Sequence, residues 1–185
     1  VLAGVWWLAS WLYTARTAGA AVLILGSAIL FLGLSHMITP DMAVCAALTW
    51  TTAFALRALR HPEDADWAVP GAWLTMAAAF LAKGLIGLVL PAVWLASLVL
   101  AFPALRPGLR SFFTSWAMPA ACAIIAVWLW RMEAAVPGFL RVFFLEQHFQ
   151  RFLTQKYNRP GGWYFYLLVL PAGFLPWSWF AWKGL

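Results

Sequence analysis

The sequence consists mainly of long apolar runs interrupted by isolated charged residues. The longest extends from Trp67 to Leu105, and Lys83 is its only charged residue. A helix needs about 20 mostly apolar residues to cross the hydrocarbon core, where only helices and closed barrels satisfy their backbone groups. Continuous runs favour helices, because barrel strands would alternate in polarity. The sequence therefore predicts an all-α fold, a polytopic transmembrane helical bundle.

The composition excludes an ordinary soluble domain. Hydrophobic residues make up 65% of the 185 residues and charged residues 10%, with a mean hydropathy of +0.84. Soluble domains carry about 25% charged residues. The net charge of +6 does not indicate nucleic acid, because the basic residues lie between apolar runs. Cys45 and Cys122 lie inside apolar runs, which predicts small buried residues rather than a disulfide or a metal site.

The run boundaries predict about six to seven membrane spans. The run from Trp67 to Leu105 is too long for one crossing, and Lys83-Gly84 suits a tight turn between two antiparallel helices. Because the chain begins inside an apolar stretch, we expect residues 1–185 to be part of one larger transmembrane domain. The predicted spans are 1–13 (truncated), 18–38, 42–58, 67–82, 85–105, 112–130 and 163–182.

The basic residues of alternate loops total six on each side of this topology. Cytoplasmic loops are enriched in Lys and Arg, and the rule works best on short loops near span ends. One side spreads its charges over several short loops, whereas the other concentrates all but one of them in the connection 131–162. We therefore place the first side in the cytoplasm. The opposite side, here called the outer face, carries 35–41, Lys83 and 131–162, and is predicted to be periplasmic or lumenal.

The outer-face connection contains a predicted amphipathic helix over 141–153. A 3.6-residue period places its apolar and polar side chains on different sides, which suits a helix lying in the membrane interface. The cationic side of such a helix could hold a lipid phosphate. The apolar side comprises Val142, Leu145, Phe149, Phe152 and Leu153, and the polar side comprises Arg141, Gln147, His148 and Arg151.

Asp41 and Lys83 are the candidate functional residues of the shorter outer loops. Asp41 follows Pro40 at the start of a span, so it is either an acidic residue that favours a helix N-terminus or a carboxylate that binds an acceptor or a cation. Lys83 either extends to the headgroups and marks a turn or neutralises a phosphate on the same face. The residues alone leave both alternatives open.

Glu146, His148 and Arg151 are either the polar side of a surface helix or a binding site. Glu146 and His148 are two residues apart and project to nearly opposite sides of an α-helix, which disfavours a shared metal. His148 and Arg151 share a side, and arginine suits phosphate. An anion site formed by Arg141, His148 and Arg151 is therefore easier to build than a metal site that uses Glu146 and His148. Nucleotide-binding loops, serine-hydrolase elbows and zinc-protease motifs are absent from the sequence.

Five short motifs follow one another along the chain. They are TPD at 39–41, AKG at 82–84, FFLEQHFQRF at 143–152, RPGGWYFY at 159–166 and LPW at 175–177. In this order they resemble motifs of polytopic lipid-linked sugar transferases, and most of all those of the bacterial aminoarabinose transferases of lipid A and their relatives in the protein mannosyltransferase superfamily. Those proteins share an Asp in a short outer loop, a Lys-Gly turn, a Glu-His…Arg-Phe segment and a Pro-x-Trp-Tyr-Tyr entry into the next helix.

The resemblance implies transfer of a sugar from a polyprenyl-phosphate donor to lipid A, a protein or another glycan at the outer face of a bacterial inner membrane. It implies that Lys83 and Arg151, with Arg141 as a weaker candidate, lie near the lipid phosphate. Asp41 would orient the acceptor or support the base. Glu146 and His148 would bind substrate or a divalent metal ion, which leaves a metal cofactor open.

One residue of this chain departs from the family pattern, and one catalytic residue of the family lies outside this chain. Gln147 occupies the position where a Glu commonly precedes the histidine, which weakens any metal or acid role there. The family's principal catalytic carboxylate lies in a first outer loop that precedes Val1, so residues 1–185 alone are expected to be inactive.

Two other classes compete with a transferase. A transporter or flippase would use the same cationic face but needs polar groups through the bilayer centre, and the predicted spans carry few. A non-catalytic scaffold gives no reason for Asp41, Lys83 and the His148–Arg151 pair to share one face. Membrane lipids are expected partners in every case.

Overall fold

The computed structural model describes residues 1–150 and 164–180, with the backbone alone for 148–150. Within these ranges every regular element is a helix, which confirms the all-α prediction. Short 3-10 helices cover Pro62–Asp64 and Pro103–Gly108, and a π-helix covers Val142–Gln150. The α-helices are α1 (Leu2–Leu12), α2 (Ala15–Ser27), α3 (Ile29–Ser35), α4 (Asp41–Arg60), α5 (Ala65–Lys83), α6 (Ile86–Ala101), α7 (Leu109–Thr114), α8 (Ala117–Ala135), α9 (Phe139–Arg141) and α10 (Phe165–Gly173).

The antiparallel pair α4–α5 forms the centre of the fold. Helix α1 packs on α4, while α6 and α8 pack on α5. Small buried residues line the contact, which lets helix backbones approach closely. Midway along the pair the hydroxyl oxygens of Thr51 and Thr75 lie 2.9 Å apart and link the two helices. The buried alanines of this contact include Ala55, Ala58, Ala68 and Ala72.

The turn predicted at Lys83-Gly84 is confirmed. Helix α5 ends at Lys83, and Gly84 follows with φ 74°, a conformation that favours glycine. Gly87 permits the close approach of α6 to α5, because a Cβ at this position would lie 2.5 Å from the Phe80 nitrogen. The predicted spans 67–82 and 85–105 thus correspond to two helices joined by a tight turn.

The residues predicted as one span at 18–38 form two helices rather than one continuous helix, and the two are bent by 67° relative to each other. Ala28 adopts an extended conformation between α2 and α3. The Ile29 N–H, which has left the helical ladder, donates to the Leu175 carbonyl oxygen at 3.1 Å. The Trp177 indole N–H donates to the Ser27 hydroxyl oxygen at 2.8 Å. The bend is therefore stabilised by the segment that follows α10.

The later span boundaries also differ from prediction. The predicted span 112–130 begins at Ala117 instead, because Ser115 is extended and separates α7 from α8, and it continues to Ala135. Helix α8 therefore includes Arg131 and Glu133, which the sequence prediction places in the connection 131–162. Of the predicted span 163–182, residues 164–180 are described. Helix α10 ends at Gly173, turns cover 174–177, and residues 178–180 are helical again.

Among the described residues, α4 and α8 are each long and apolar enough to cross a membrane, and the bent pair α2–α3 qualifies if it is one span. The predicted count of six to seven is larger and stays a prediction. The prediction that Cys45 and Cys122 are buried is wrong, because both are exposed and free. In a membrane bundle an apolar run can face lipid, so apolar neighbours in sequence do not imply burial in protein.

Candidate functional site

Asp41 and Lys83 form an ion pair in which the Lys83 ammonium donates to Asp41 Oδ1. Their side chains are 36% and 44% exposed, respectively, so the pair lies at the surface. Asp41 begins α4 and Lys83 ends α5, positions at which the helix dipole favours an anion and a cation. The structure therefore brings together two residues that are 42 positions apart in the sequence.

The lengths of α4 and α5 produce this contact. The helices have 20 and 19 residues and are joined by one short 3-10 helix, so their distant ends lie at the same level. The predicted placement of Asp41 and Lys83 on one face is confirmed by their contact. Their proposed roles in binding or catalysis are not tested by it.

The loop before Asp41 contains a polar group without a partner. Thr39 Oγ1 is buried and has no hydrogen-bond partner among the described residues. Upstream, His36 Nδ1 lies 2.8 Å from the Leu32 carbonyl oxygen. Among the described residues, Thr39 thus contributes an unsatisfied buried hydroxyl two positions before Asp41.

An apolar cavity of about 420 Å³ lies next to this end of α4. Met42 and Cys45, within the first turns of α4, form one wall, and Leu30 and Leu34 of α3 form another. Gly173 and Phe174 at the end of α10 also line it. The outer face thus combines a charged pair with an apolar cavity beside it, which suits an amphiphilic ligand.

The predicted amphipathic helix is only partly described. A helix is present from Phe139 to Gln150, but the α-helical period is wrong for its described part, because Val142–Gln150 is a π-helix. Wider turns change which side chains share a side. Phe143 packs inward against Phe80 and Trp128, with ring centroids 5.9 Å away in each case.

Arg141 is exposed and Glu146 is half-buried in this segment. The side chain of His148 and all of Arg151 lie outside the described residues, so the predicted anion site of Arg141, His148 and Arg151 stays a prediction. The same holds for metal binding by Glu146 and His148.

Sequence reasoning missed a second charged cluster, at the opposite end of α4. Asp64 accepts from the Arg57 guanidinium at 2.6 Å and from the Trp67 indole at 3.1 Å. These donors, Trp67 first and then Arg57, hold the pKa of Asp64 below its usual value. The Arg57 guanidinium also lies 5.2 Å from the Trp11 ring centroid. The short spacing between Arg57 and Asp64 across a helix end was the available signal.

This second cluster also includes possible metal ligands. The ligand atoms of His61, Glu63 and Asp64 lie within 4.8 Å of one another. However, His61 already contacts Glu63 at 3.0 Å, and Asp64 is occupied by Arg57 and Trp67. These contacts account for the cluster as a link between α4 and α5.

Comparison with known proteins decides the family. The model of the family described as dolichyl-phosphate-mannose-protein mannosyltransferase matches residues 1–130. The chain belongs to this family. This match confirms the resemblance that the motifs indicate. It also confirms that the chain belongs to the class of integral membrane proteins.

Within the family, the chain is similar to curated arabinosyl transferases. An undecaprenyl phosphate-alpha-4-amino-4-deoxy-L-arabinose arabinosyl transferase from Sodalis glossinidius is 30% identical over 88% of this chain. A transferase of the same name from Pectobacterium atrosepticum is 28% identical over 94%. The chain spans 29% and 31% of these relatives, respectively.

A solved structure agrees with the sequence comparisons. The crystal structure of ArnT from Cupriavidus metallidurans in the apo state superposes with a TM-score of 0.79 and 25% identity. The match covers 99% of this chain and 34% of that one. The described helices therefore follow the arrangement of about a third of that larger protein.

Proposed function

We propose that residues 1–185 form part of one transmembrane glycosyltransferase domain that moves a sugar from a polyprenyl-phosphate carrier to an acceptor at the outer face. The observation that carries the proposal is the Asp41–Lys83 pair beside an apolar cavity, in a chain whose relatives are named as undecaprenyl-phosphate-linked transferases. The carrier is accordingly proposed to be undecaprenyl phosphate, and the sugar to be an aminoarabinose.

The proposed reaction is a direct displacement at the anomeric carbon. An acceptor oxygen forms the new bond to that carbon while the bond to the carrier phosphate oxygen breaks, and its electron pair remains on the departing lipid phosphate. The acceptor proton passes to a carboxylate. Groups that neutralise the departing phosphate lower the barrier most.

Lys83 suits the role of phosphate ligand. An ammonium has three N–H donors, and one of those of Lys83 is directed at Asp41. The others can reach a phosphate oxygen without breaking the pair, since the side chain is 44% exposed. We propose that Arg151 and Arg141 supply further cationic contacts to the same phosphate.

Asp41 suits a role in binding the acceptor molecule. Held by Lys83, its carboxylate has a second oxygen that can accept from an acceptor hydroxyl. It would thus orient the acceptor or support the base that removes the proton. We propose that Glu146 and His148 bind the substrate or a divalent ion.

The apolar cavity supports a proposal for the position of the lipid part of the substrate. The cavity beside Met42 could accept a segment of an apolar chain while the phosphate remains at the face. We propose lipid A as the acceptor, with protein or another glycan as alternatives, in the bacterial inner membrane with the outer face toward the periplasm.

The test uses the whole protein in detergent, with radiolabelled undecaprenyl-phosphate sugars and lipid A. Asp41→Asn and Lys83→Ala should each lower turnover roughly a hundredfold or more, because charge stabilisation in the transition state is lost. Asp66→Asn is a matched control, since Asp66 is an exposed carboxylate in the first turn of α5, at the other end of the hairpin.

Two results would contradict the proposal. Full turnover in Lys83→Ala would remove Lys83 from the site. Binding of the carrier without transfer to any acceptor, together with lipid movement across liposomes, would favour a transporter.

A further inference from the structure

Glu133, in the last turn of α8, accepts two backbone hydrogen bonds from the turn that follows the helix. Its Oε1 accepts from the Gly138 N–H at 2.9 Å, and its Oε2 accepts from the Leu140 N–H at 2.8 Å. Both oxygens of one carboxylate are thus used on one short turn. Hydrogen bonds to an ionised acceptor are about twice as strong as neutral ones.

The turn depends on this carboxylate for its shape. Gly138 has φ 86°, a left-handed conformation, and it reverses the chain between α8 and α9. The neighbouring Phe139 N–H donates to the Val136 carbonyl oxygen at 3.0 Å. The Gly138 and Leu140 N–H groups flank that bond and have Glu133 as their acceptor. Removing the carboxylate would leave both N–H groups without this acceptor.

Packed aromatic rings connect the end of this turn to the outer-face end of α5. The Phe139 ring stacks on Phe143 at 5.3 Å and lies 5.6 Å from Trp128 of α8. Phe143 in turn lies 5.9 Å from Phe80, which is 2% exposed and three residues before Lys83. The Glu133 contacts fix one end of the segment, and the aromatic packing fixes its distance from α5.

We propose that Glu133 is a positioning residue, whose carboxylate fixes the turn 136–140 and thereby sets where Arg141 and the π-helix after it lie relative to Lys83. The inference rests on the proposed function, since it makes Glu133 necessary for tight binding of the carrier phosphate. Glu133 does not touch the carrier in this account. It acts through Arg141 and the segment that follows.

The test measures the dissociation constant of undecaprenyl phosphate for the whole protein in detergent by native mass spectrometry. Glu133→Gln should raise this constant about tenfold, because the amide keeps one acceptor oxygen and loses the charge. Hydrogen exchange should become faster at the Gly138 and Leu140 amides. The melting temperature should change little, because α5 makes most of its contacts with α4, α6 and α8 rather than with the turn.

A second variant perturbs the same turn without touching Glu133. Gly138→Ala has open space for its methyl group, but its backbone conformation is unfavourable for alanine. It should also raise the dissociation constant. Glu63→Gln is the matched control, since Glu63 is an exposed carboxylate at the opposite end of the α4–α5 hairpin and should bind the carrier as the wild type does.

The outcomes separate the two proposals. Wild-type affinity in Glu133→Gln, whether or not exchange at 138 and 140 becomes faster, would overturn the positioning role alone. A melting temperature that falls in parallel with affinity in both turn variants would also overturn it, in favour of a purely structural role. Failure of the wild-type protein to bind undecaprenyl phosphate would refute the proposed function and this inference with it.

Discussion

Gly87 offers the sharpest test of the packing that places Lys83. Within a helix, alanine is favoured over glycine by about 1 kcal/mol. Here the added Cβ would lie 2.5 Å from the Phe80 nitrogen and 2.7 Å from the Ala79 carbonyl oxygen. These are backbone atoms, which cannot rotate away, so α6 must move off α5. Overpacking of this kind costs about 1–3 kcal/mol.

Because the clash involves backbone atoms, we take the upper end of that range, about 3 kcal/mol. The helix preference for alanine offsets about 1 kcal/mol of it. We therefore expect Gly87→Ala to lower the free energy of unfolding by about 2 kcal/mol. The shift in melting temperature per kcal/mol falls with chain length, and the relatives are about three times as long as this chain. In a thermal melt of the whole protein in detergent, the loss therefore corresponds to a fall of roughly 2 °C. Turnover should fall as well, because the displaced turn moves Lys83 relative to Asp41.

Gly33→Ala is the matched control. Gly33 also lies in a helix, but no heavy atom from elsewhere in the described part of the chain lies within 4 Å of its added Cβ. This variant should therefore melt at or slightly above the wild-type temperature. If Gly87→Ala melts as high as Gly33→Ala, the close approach of α5 and α6 is refuted, and with it the explanation of where Lys83 lies.

Two further predictions concern other contacts. The pKa of Asp64 is lowered by its bonds to Trp67 and Arg57, so its contribution to stability is present above its unfolded pKa, near 3.8, and is lost as pH falls through the lowered folded value. Asp64→Asn should therefore melt below the wild type at neutral pH, and the difference in melting temperature should disappear in acid. A difference that is the same at both pH values would contradict a stabilising role for the ionised Asp64 carboxylate. Gly173→Ala would bring a Cβ within 2.7 Å of Leu30 Cβ and should speed proteolysis of the α10 end, whereas Gly19→Ala, with only an ordinary 3.5 Å contact to Trp6, should not.

Sequence periodicity and charge were sufficient for the α4–α5–α6 part of the fold. Lys83-Gly84 is a charge and a glycine inside a run too long for one crossing, so a turn was the physical solution. Alternation of spans then placed Asp41 and Lys83 on one face, and their contact confirms it. These features depend on local composition and on helix length, both of which are readable from the chain.

The features that could not be predicted depend on distant partners. Nothing near Ala28 requires a break, because the bend relies on Leu175 and Trp177, about 150 residues away. The π-helix at 142–150 arises where Phe143 packs inward, which a 3.6-residue period does not anticipate. The sequence prediction places Glu133 in a loop, although a carboxylate five residues before a glycine is a signal for a helix-end contact.

The bend between α2 and α3 has a consequence for biosynthesis. Its acceptor for the Ile29 N–H belongs to Leu175, which the ribosome adds on the order of ten seconds later at usual synthesis rates. An amide in lipid cannot remain without an acceptor. In that interval the Leu25 carbonyl oxygen, four residues earlier, is the nearest alternative. We therefore expect this span to enter the bilayer as a straight helix and to bend only when the residues after α10 arrive.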